Sequence, residues 1–180
     1  LNHTINNLTI NRPTTSYVGL FGNNGANIRN IGLIGSEVNG ITSVGGLVGF
    51  NWGGISNSYV AGNVTSSGSA GTDMGVLVGH NTGSLVNSYA TGNAKSTDTT
   101  VDVGGLVGHN SGSISNSYAT GSATSANTAS SHGLGGLVGY NTGNVENSYA
   151  TGSVLSTSSY TTTVGGLIGY NIAGSTSKSF

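Results

Sequence analysis

The sequence contains no cysteine, only one proline and very few charged residues. The absence of cysteine excludes a disulfide framework and zinc sites built from thiolates. Charged residues make up 5% of the chain and the formal net charge is −1, whereas an ordinary globular domain is roughly 25% charged. Because there is so little charge, we expect no nucleic-acid partner and no electrostatic capture by an anionic membrane.

Long hydrophobic runs are also absent. No stretch approaches the roughly 20 apolar residues of a membrane-spanning helix, so we expect no membrane insertion by this segment. The chain does not begin with Met and shows no signal peptide. Disorder is disfavoured as well, because Val, Ile, Thr and Tyr recur throughout and the net charge is close to zero.

An internal repeat dominates what is present. Its first block is Gly-Gly-Leu-Val-Gly, then an aromatic residue or histidine, then Asn, as in residues 45–51 and 104–110. Its second block is Asn-Ser-Tyr, which continues as Ala-Thr-Gly in three copies. Successive central leucines, counted from Leu20, are separated by 27, 30, 29, 31 and 30 residues. The repeat is therefore about 30 residues long.

The pattern within each repeat favours short strands. Apolar residues occur singly or in very short runs between Gly and Asn, and each glycine inside a helix would cost about 1 kcal/mol relative to alanine. We expect Gly and Asn to supply positive φ at tight corners. A repeat of this length with about three short strands forms one coil of a β-helix, and stacked coils bury a shared core.

We therefore predict an all-β fold, a β-solenoid (β-helix) of roughly six right-handed coils. Residues 1–17 are interpreted as degenerate N-terminal strands of the solenoid, and residues 18–180 as one continuous array that ends inside its last repeat. Because no polar cap closes this last coil, we expect either a piece of a longer protein or a unit that stacks end to end.

Stacking also predicts structural columns. Identical positions of successive coils lie above one another, where like charges repel but asparagines and aromatic rings stack well. The predicted asparagine ladder is Asn51, Asn81, Asn110, Asn141 and Asn171. The predicted tyrosine column is Tyr59, Tyr89, Tyr118 and Tyr149. The predicted leucine column is Leu47, Leu77, Leu106, Leu137 and Leu167. A second asparagine column is expected at Asn57, Asn87, Asn116 and Asn147.

The length variation between repeats falls in one segment of every coil. Such insertions form loops on one side of a solenoid, often the binding side. The candidate binding residues of these loops are Asp73, Lys95, Asp98, Asp102 and His132. A weak calcium site at the aspartates is an alternative, but we favour solvated loop charges.

His80 and His109 occupy one position in consecutive repeats, where other copies hold Phe50, Tyr140 and Tyr170. A planar stacking column explains this position better than a shared metal ion, so we expect no metal site and no cofactor. The sequence also lacks a Gly-x-Ser-x-Gly elbow and a His-Glu-x-x-His motif. With carboxylates and basic residues so scarce, we expect no enzymatic activity.

The two blocks, Gly-Gly-Leu-Val-Gly with its Asn and then Asn-Ser-Tyr-Ala-Thr-Gly, resemble the GLUG repeat, and the resemblance covers Val18 to the C-terminus. It implies a secreted bacterial surface protein of the filamentous-haemagglutinin-like adhesin type. The segment would then be a structural stalk, a rigid spacer, whose partners are a host-surface protein or glycan. Two alternatives are a self-assembling extracellular filament, in which copies bind end to end, and glycan or ice binding through the loops and Thr91, Thr120 and Thr151.

Overall fold

The computed structural model describes residues 3–66, 72–97, 101–126, 133–157 and 163–180. All regular secondary structure in these ranges is β-strand, and the strands form four parallel sheets that wind around one axis. The predicted all-β solenoid is confirmed. No helix in the described part of the chain has the length and apolar character of a membrane span.

Within the described residues, three of the sheets contain six parallel strands each. Sheet I comprises β3 (Ser16–Val18), β7 (Thr42–Gly45), β11 (Thr72–Gly75), β16 (Val101–Gly104), β21 (Gly133–Gly135) and β26 (Thr163–Gly165). Sheet II comprises β4 (Phe21–Asn24), β8 (Val48–Asn51), β12 (Val78–Asn81), β17 (Val107–Asn110), β22 (Val138–Asn141) and β27 (Ile168–Asn171). Sheet III comprises β5 (Asn27–Arg29), β9 (Gly54–Ser56), β13 (Ser84–Val86), β18 (Ser113–Ser115), β23 (Asn144–Glu146) and β28 (Ser175–Ser177).

Sheet IV closes each coil and contains ten strands, because most coils cross it as two short strands. These are β1 (His3–Asn6), β2 (Thr9–Asn11), β6 (Ile31–Gly40), β10 (Tyr59–Ser66), β14 (Tyr89–Ala90), β15 (Ala94–Ser96), β19 (Tyr118–Ala119), β20 (Ala123–Ser125), β24 (Tyr149–Ala150) and β25 (Val154–Ser156). Strands β1 and β2 both pair with β6, so the N-terminal segment forms the outermost layer of this sheet.

The pairing register repeats the sequence spacing. In sheet II, Phe21 pairs with Val48, Val48 with Val78 and Val78 with Val107, and the series continues through Val138 and Ile168. The offsets between these partners equal the predicted leucine spacings. The chain therefore makes about five turns of about 29 residues each. Five turns join six stacked layers, which agrees with the roughly six coils predicted.

The corner before sheet IV is made by asparagine. Asn57, Asn87, Asn116 and Asn147 have φ of 49°, 50°, 51° and 47°, which is the left-handed region that asparagine tolerates well. Their side chains are exposed. The expected second asparagine column therefore lies on the surface, where its backbone conformation turns the chain.

Glycine plays a different part from the one expected. Gly35 is the one glycine with positive φ in the described ranges. The recurrent glycines instead mark places where backbones approach too closely for a side chain. At Gly79, for example, a Cβ would lie 2.5 Å from the Val44 nitrogen and 2.7 Å from the Gly49 oxygen. The glycines of sheet II thus allow its strands to pack directly on the backbone of sheet I.

The core is built from columns of apolar side chains that stack on their own equivalents. Val44, Met74, Val103 and Leu134 are all 0% exposed and follow one another in register in sheet I. The leucines at 47, 77, 106 and 137 form a second fully buried column. Because each layer covers the next, the apolar surface of one coil is buried only when its neighbours are present.

Candidate functional site

The asparagine ladder runs inside the stack, along the corner between sheets II and III. The Nδ2 atom of each asparagine donates to the Oδ1 atom of the next, at 2.7 Å from Asn51 to Asn81 and at 2.8 Å for each later step to Asn110, Asn141 and Asn171. Asn51, Asn81, Asn110 and Asn141 are 0% exposed.

Each internal asparagine also caps its own corner. The second N–H of Asn51 donates to the Gly53 oxygen at 3.1 Å, and Asn141 does the same to Gly143 at 3.1 Å. Asn24, in the most divergent coil, donates to Asn51 at 2.7 Å and extends the ladder by one layer that the sequence analysis missed. The buried amides therefore satisfy their donors without any charge.

A serine column also escaped the sequence analysis. Ser58, Ser88, Ser117 and Ser148 are each 1% exposed. The Ser88 hydroxyl accepts from the Ser58 nitrogen at 3.2 Å and donates to the Val86 oxygen at 2.9 Å. The left-handed residue just before each serine breaks the strict alternation of the strand, so the serine points inward and the following tyrosine points outward. The Asn-Ser step, which recurs in four repeats, was the available signal.

The tyrosine column stacks on the outer face of sheet IV. The ring centroids of Tyr59, Tyr89, Tyr118 and Tyr149 are 4.9, 4.8 and 5.0 Å apart in order, and their planes differ by at most 6°. Phe180 continues the column at 5.6 Å from Tyr149. Desolvation, followed by the neighbouring tyrosines, raises the pKa of Tyr118 above its ordinary value of 10.0, and desolvation with Tyr59 does the same for the pKa of Tyr89.

This column predicts a loss of stability in alkaline solution. A raised pKa means that the folded state prefers the neutral phenol, so the contribution is intact below pH 10 and is lost as the pH rises through the folded-state pKa. We expect the melting temperature to fall above pH 10, and to fall less steeply in Tyr118→Phe, which keeps the ring. Thermal melts between pH 8 and pH 11 test this, and a difference between the two proteins that does not change with pH contradicts it.

A second aromatic column lies on sheet II. Phe50 stacks on His80 at 4.8 Å between ring centroids and His80 stacks on His109 at 4.4 Å, while Tyr140 lies 4.7 Å from His109 with its ring tilted by 35°. The two histidine planes differ by 12°. Tyr170 follows at 5.4 Å from Tyr140. The histidines are therefore members of a stacked column, the arrangement that the sequence analysis favoured.

Two aspartates of sheet I face these histidines. The Asp73 carboxylate oxygen Oδ2 lies 2.7 Å from His80 Nδ1, and its Oδ1 lies 3.9 Å from His109 Nδ1. Asp102 Oδ2 lies 4.0 Å from His109 Nδ1. The Gly133 nitrogen donates to Asp102 Oδ1 at 2.9 Å. We call Asp73, His80, His109 and Asp102 the histidine–aspartate cluster.

Burial sets the protonation of this cluster. Desolvation is the largest cause that raises the pKa of Asp102 to about 7, and the adjacent Asp73 carboxylate adds to it. Desolvation also lowers the pKa of His109, against the attraction of Asp73. At neutral pH the cluster therefore holds uncharged imidazole at His109 and a carboxyl at Asp102 that is partly protonated.

Among the remaining candidate loop residues, Lys95 does not join the cluster. Lys95 lies exposed on β15 in sheet IV, where it pairs in register with Thr65 and Thr124. Asp98 and His132 lie outside the described residues. Asp73 and Asp102, which were predicted as solvated loop charges, are direct register partners on strands β11 and β16, and their side chains are 20% and 14% exposed.

An aromatic pocket near the N-terminal end was not anticipated. It has a volume of about 230 Å³ and is lined by Tyr17, Asn23, Phe50 and Trp52. Trp52 is 54% exposed and its ring lies 5.8 Å from that of Phe50. The chain's one tryptophan was a visible signal, but nothing in the repeat pattern places it beside Tyr17.

The fold and its columns define a structural β-solenoid repeat module. Three segments of the chain, residues 40–65, 99–124 and 130–155, match the GLUG motif, a β-helix repeat of bacterial proteins. These segments cover less than half of the chain. No curated protein and no solved structure matches it.

Proposed function

We propose that this module is a rigid spacer in a secreted bacterial surface protein, where it holds adhesive parts away from the cell. The observation that carries the proposal is the unbroken ladder from Asn24 to Asn171, in which every layer is joined to the next by a side-chain hydrogen bond of 2.7–2.8 Å. A stack with the same bonds at every level has no weak layer at which to bend.

The direction of the hydrogen bonds supports a mechanical role. In a parallel solenoid the backbone ladder runs along the axis, so a pull on the ends loads many bonds together. Each layer adds about 4.8 Å, and the length therefore grows in proportion to the number of repeats. A module of this kind can be lengthened by duplication without any change in its contacts.

The surface location rests on the repeat family and on composition. The GLUG motif occurs in β-helical bacterial proteins. The chain has no cysteine and only 5% charged residues. Such a surface makes few electrostatic contacts with other macromolecules, which suits a spacer that has to stay clear of its surroundings.

Surface display tests the spacer directly. Gly104 pairs with Gly135 in register, so a duplication of residues 104–134 adds one complete turn. The chain is placed between an outer-membrane anchor and a fluorescent epitope, with no, one or two added turns. We expect the height of the epitope above the membrane to rise by the same increment with each turn.

A flexible Gly-Ser segment of equal length is the matched control, because its reach grows only with the square root of its length. A height that follows the Gly-Ser series, or does not change, contradicts the spacer proposal. Replacement of the variable loops by short turns should leave the height unchanged and remove any ligand that binds through them.

Glycan binding is a second candidate, and the aromatic pocket favours it. Exposed rings at Tyr17 and Trp52 offer flat apolar faces for a sugar ring, and Asn23 offers an amide for its hydroxyls. Thr82 occupies the position of Trp52 in the next coil, so Trp52→Thr should preserve the fold. Loss of glycan-array binding in this variant supports the idea, and binding that is unchanged places the glycan elsewhere.

End-to-end assembly of copies is the third candidate. Val164 in the last layer is 51% exposed, whereas its equivalents Leu134 and Val103 are 0% exposed. Either a following turn of chain or another copy covers such a face equally well. Sedimentation velocity over a concentration series separates these cases, because a chain that stays monomeric at high concentration rules out self-assembly through this face.

A further inference from the structure

The histidine–aspartate cluster is an exception to the rule that paired positions of neighbouring coils do not carry like charges. Asp73 and Asp102 are register partners on adjacent strands, and no other two acidic residues in the described ranges are paired in this way. Like charges opposite each other in a sheet are destabilising. A local arrangement that conflicts with the rest of the pattern is typical of a functional position.

The neighbouring sheet brings nitrogen ligands to the same place. His80 and His109 are register partners on β12 and β17. One ligand atom from each of Asp73, His80 and His109 lies within 4.8 Å of the others. The four side chains of the cluster are 14–23% exposed, so they are partly desolvated yet open to solution.

We propose that Asp73, His80 and His109 bind a divalent transition-metal ion, with Asp102 as a further oxygen ligand. Two imidazole nitrogens with one or two carboxylate oxygens form a donor set that suits Zn²⁺ and its neighbours in the first transition series. Ca²⁺ and Mg²⁺ prefer oxygen ligands alone. A bound cation also offsets the repulsion between the two carboxylates.

Binding requires a small movement of the histidines. The two rings are nearly parallel, with planes that differ by 12° and centroids 4.4 Å apart. Because each ligand nitrogen has to point at the same ion from about 2.0–2.1 Å, the two rings have to tilt toward each other. Both side chains lie on the outer face of sheet II and reach solvent, so this tilt does not disturb the core.

Calorimetric titration of the EDTA-treated, tag-free chain with ZnCl₂ tests the site. We expect one zinc ion per chain and a higher melting temperature in its presence, since the metal binds the folded state. CaCl₂ at the same concentrations should give no such response. X-ray absorption of the zinc complex should show scattering from two imidazoles.

The tyrosines that occupy this column position in other coils suggest matched replacements for the two histidines. In His80→Tyr and His109→Tyr the ring stack is kept, because Tyr140 and Tyr170 occupy this position in later coils. We expect each variant to fold as well as the parent without metal and to bind zinc at least tenfold more weakly. His3→Gln, which changes a histidine on β1, should bind zinc as the parent does.

Any one of three results overturns the proposal. The first is that the parent chain shows no zinc binding in the titration. The second is that the double variant His80→Tyr/His109→Tyr binds zinc as tightly as the parent. Asp73→Asn, which preserves shape, is a second check that does not alter the rings, and undiminished affinity in that variant also contradicts the assigned ligands.

Discussion

Replacement of Asn110 by leucine is expected to destabilise the solenoid by about 3–5 kcal/mol. Asn110 is 0% exposed and accepts from Asn81 at 2.8 Å while it donates to Asn141 at 2.8 Å and to the Gly112 oxygen at 3.4 Å. Leucine has a similar volume but makes none of these bonds. One buried N–H of Asn81 then lacks its acceptor and the buried Oδ1 of Asn141 lacks its donor, and each such loss costs about 1–3 kcal/mol.

Asn171→Leu is the control for this prediction. Asn171 occupies the last rung of the same ladder and its side chain is exposed, so its replacement removes one bond to a buried amide, that of Asn141, whereas Asn110→Leu removes two. We expect a cost of about 1 kcal/mol or less there. Urea unfolding followed by circular dichroism measures both, and equal costs at the two positions contradict a ladder that stabilises by burial.

Gly139→Ala is expected to cost about 4 kcal/mol or to prevent folding. A Cβ at Gly139 would lie 2.6 Å from the Val103 nitrogen, 2.7 Å from the Gly108 oxygen and 2.8 Å from the Asp102 carbonyl carbon. All three are backbone atoms of packed strands, so none can rotate away. Sheets I and II would have to separate at this layer, and the layers on both sides depend on that contact.

Gly166→Ala tests whether this cost comes from close packing rather than from glycine itself. Nothing lies within 4 Å of a Cβ at Gly166, and Val76 occupies the equivalent position in another coil. We expect an effect within about 0.5 kcal/mol. A Gly139→Ala protein with the parent's melting temperature and circular dichroism spectrum contradicts the described contact between sheets I and II.

The stack can be predicted well from the sequence because the number of residues per repeat also determines which residues pair between neighbouring coils. A column of Leu, Val or Asn can be buried only if each member lies above its equivalent, so the leucine spacing determines which strand residues pair. Corners are also encoded, since asparagine occurs where the chain needs a left-handed residue. The interpretation of glycine was wrong because composition does not distinguish a turn from a close contact.

The orientation of side chains at each corner is less accessible from sequence. The left-handed residue Asn57 shifts the alternation by one position, which turns Ser58 inward and Tyr59 outward. Asp73 and His80 lie seven residues apart and meet only because the corner between β11 and β12 folds sheet I against sheet II. The sequence pattern gives the number of residues between Asp73 and His80, but not the angle between sheets I and II at this corner.

Distance measurement between spin labels on two exposed residues of one column, four layers apart, tests the continuous rigid stack most directly. Trp52 and Ile172 both follow a rung of the asparagine ladder and are 54% and 42% exposed, and the chain has no cysteine to interfere with labels at Trp52→Cys and Ile172→Cys. Four layer intervals of about 4.8 Å place them roughly 19 Å apart. We predict one narrow distance peak near this value, which moves out by about 4.8 Å when residues 104–134 are duplicated. A broad distribution, or a peak that does not move with the added turn, would contradict the solenoid as a rigid spacer.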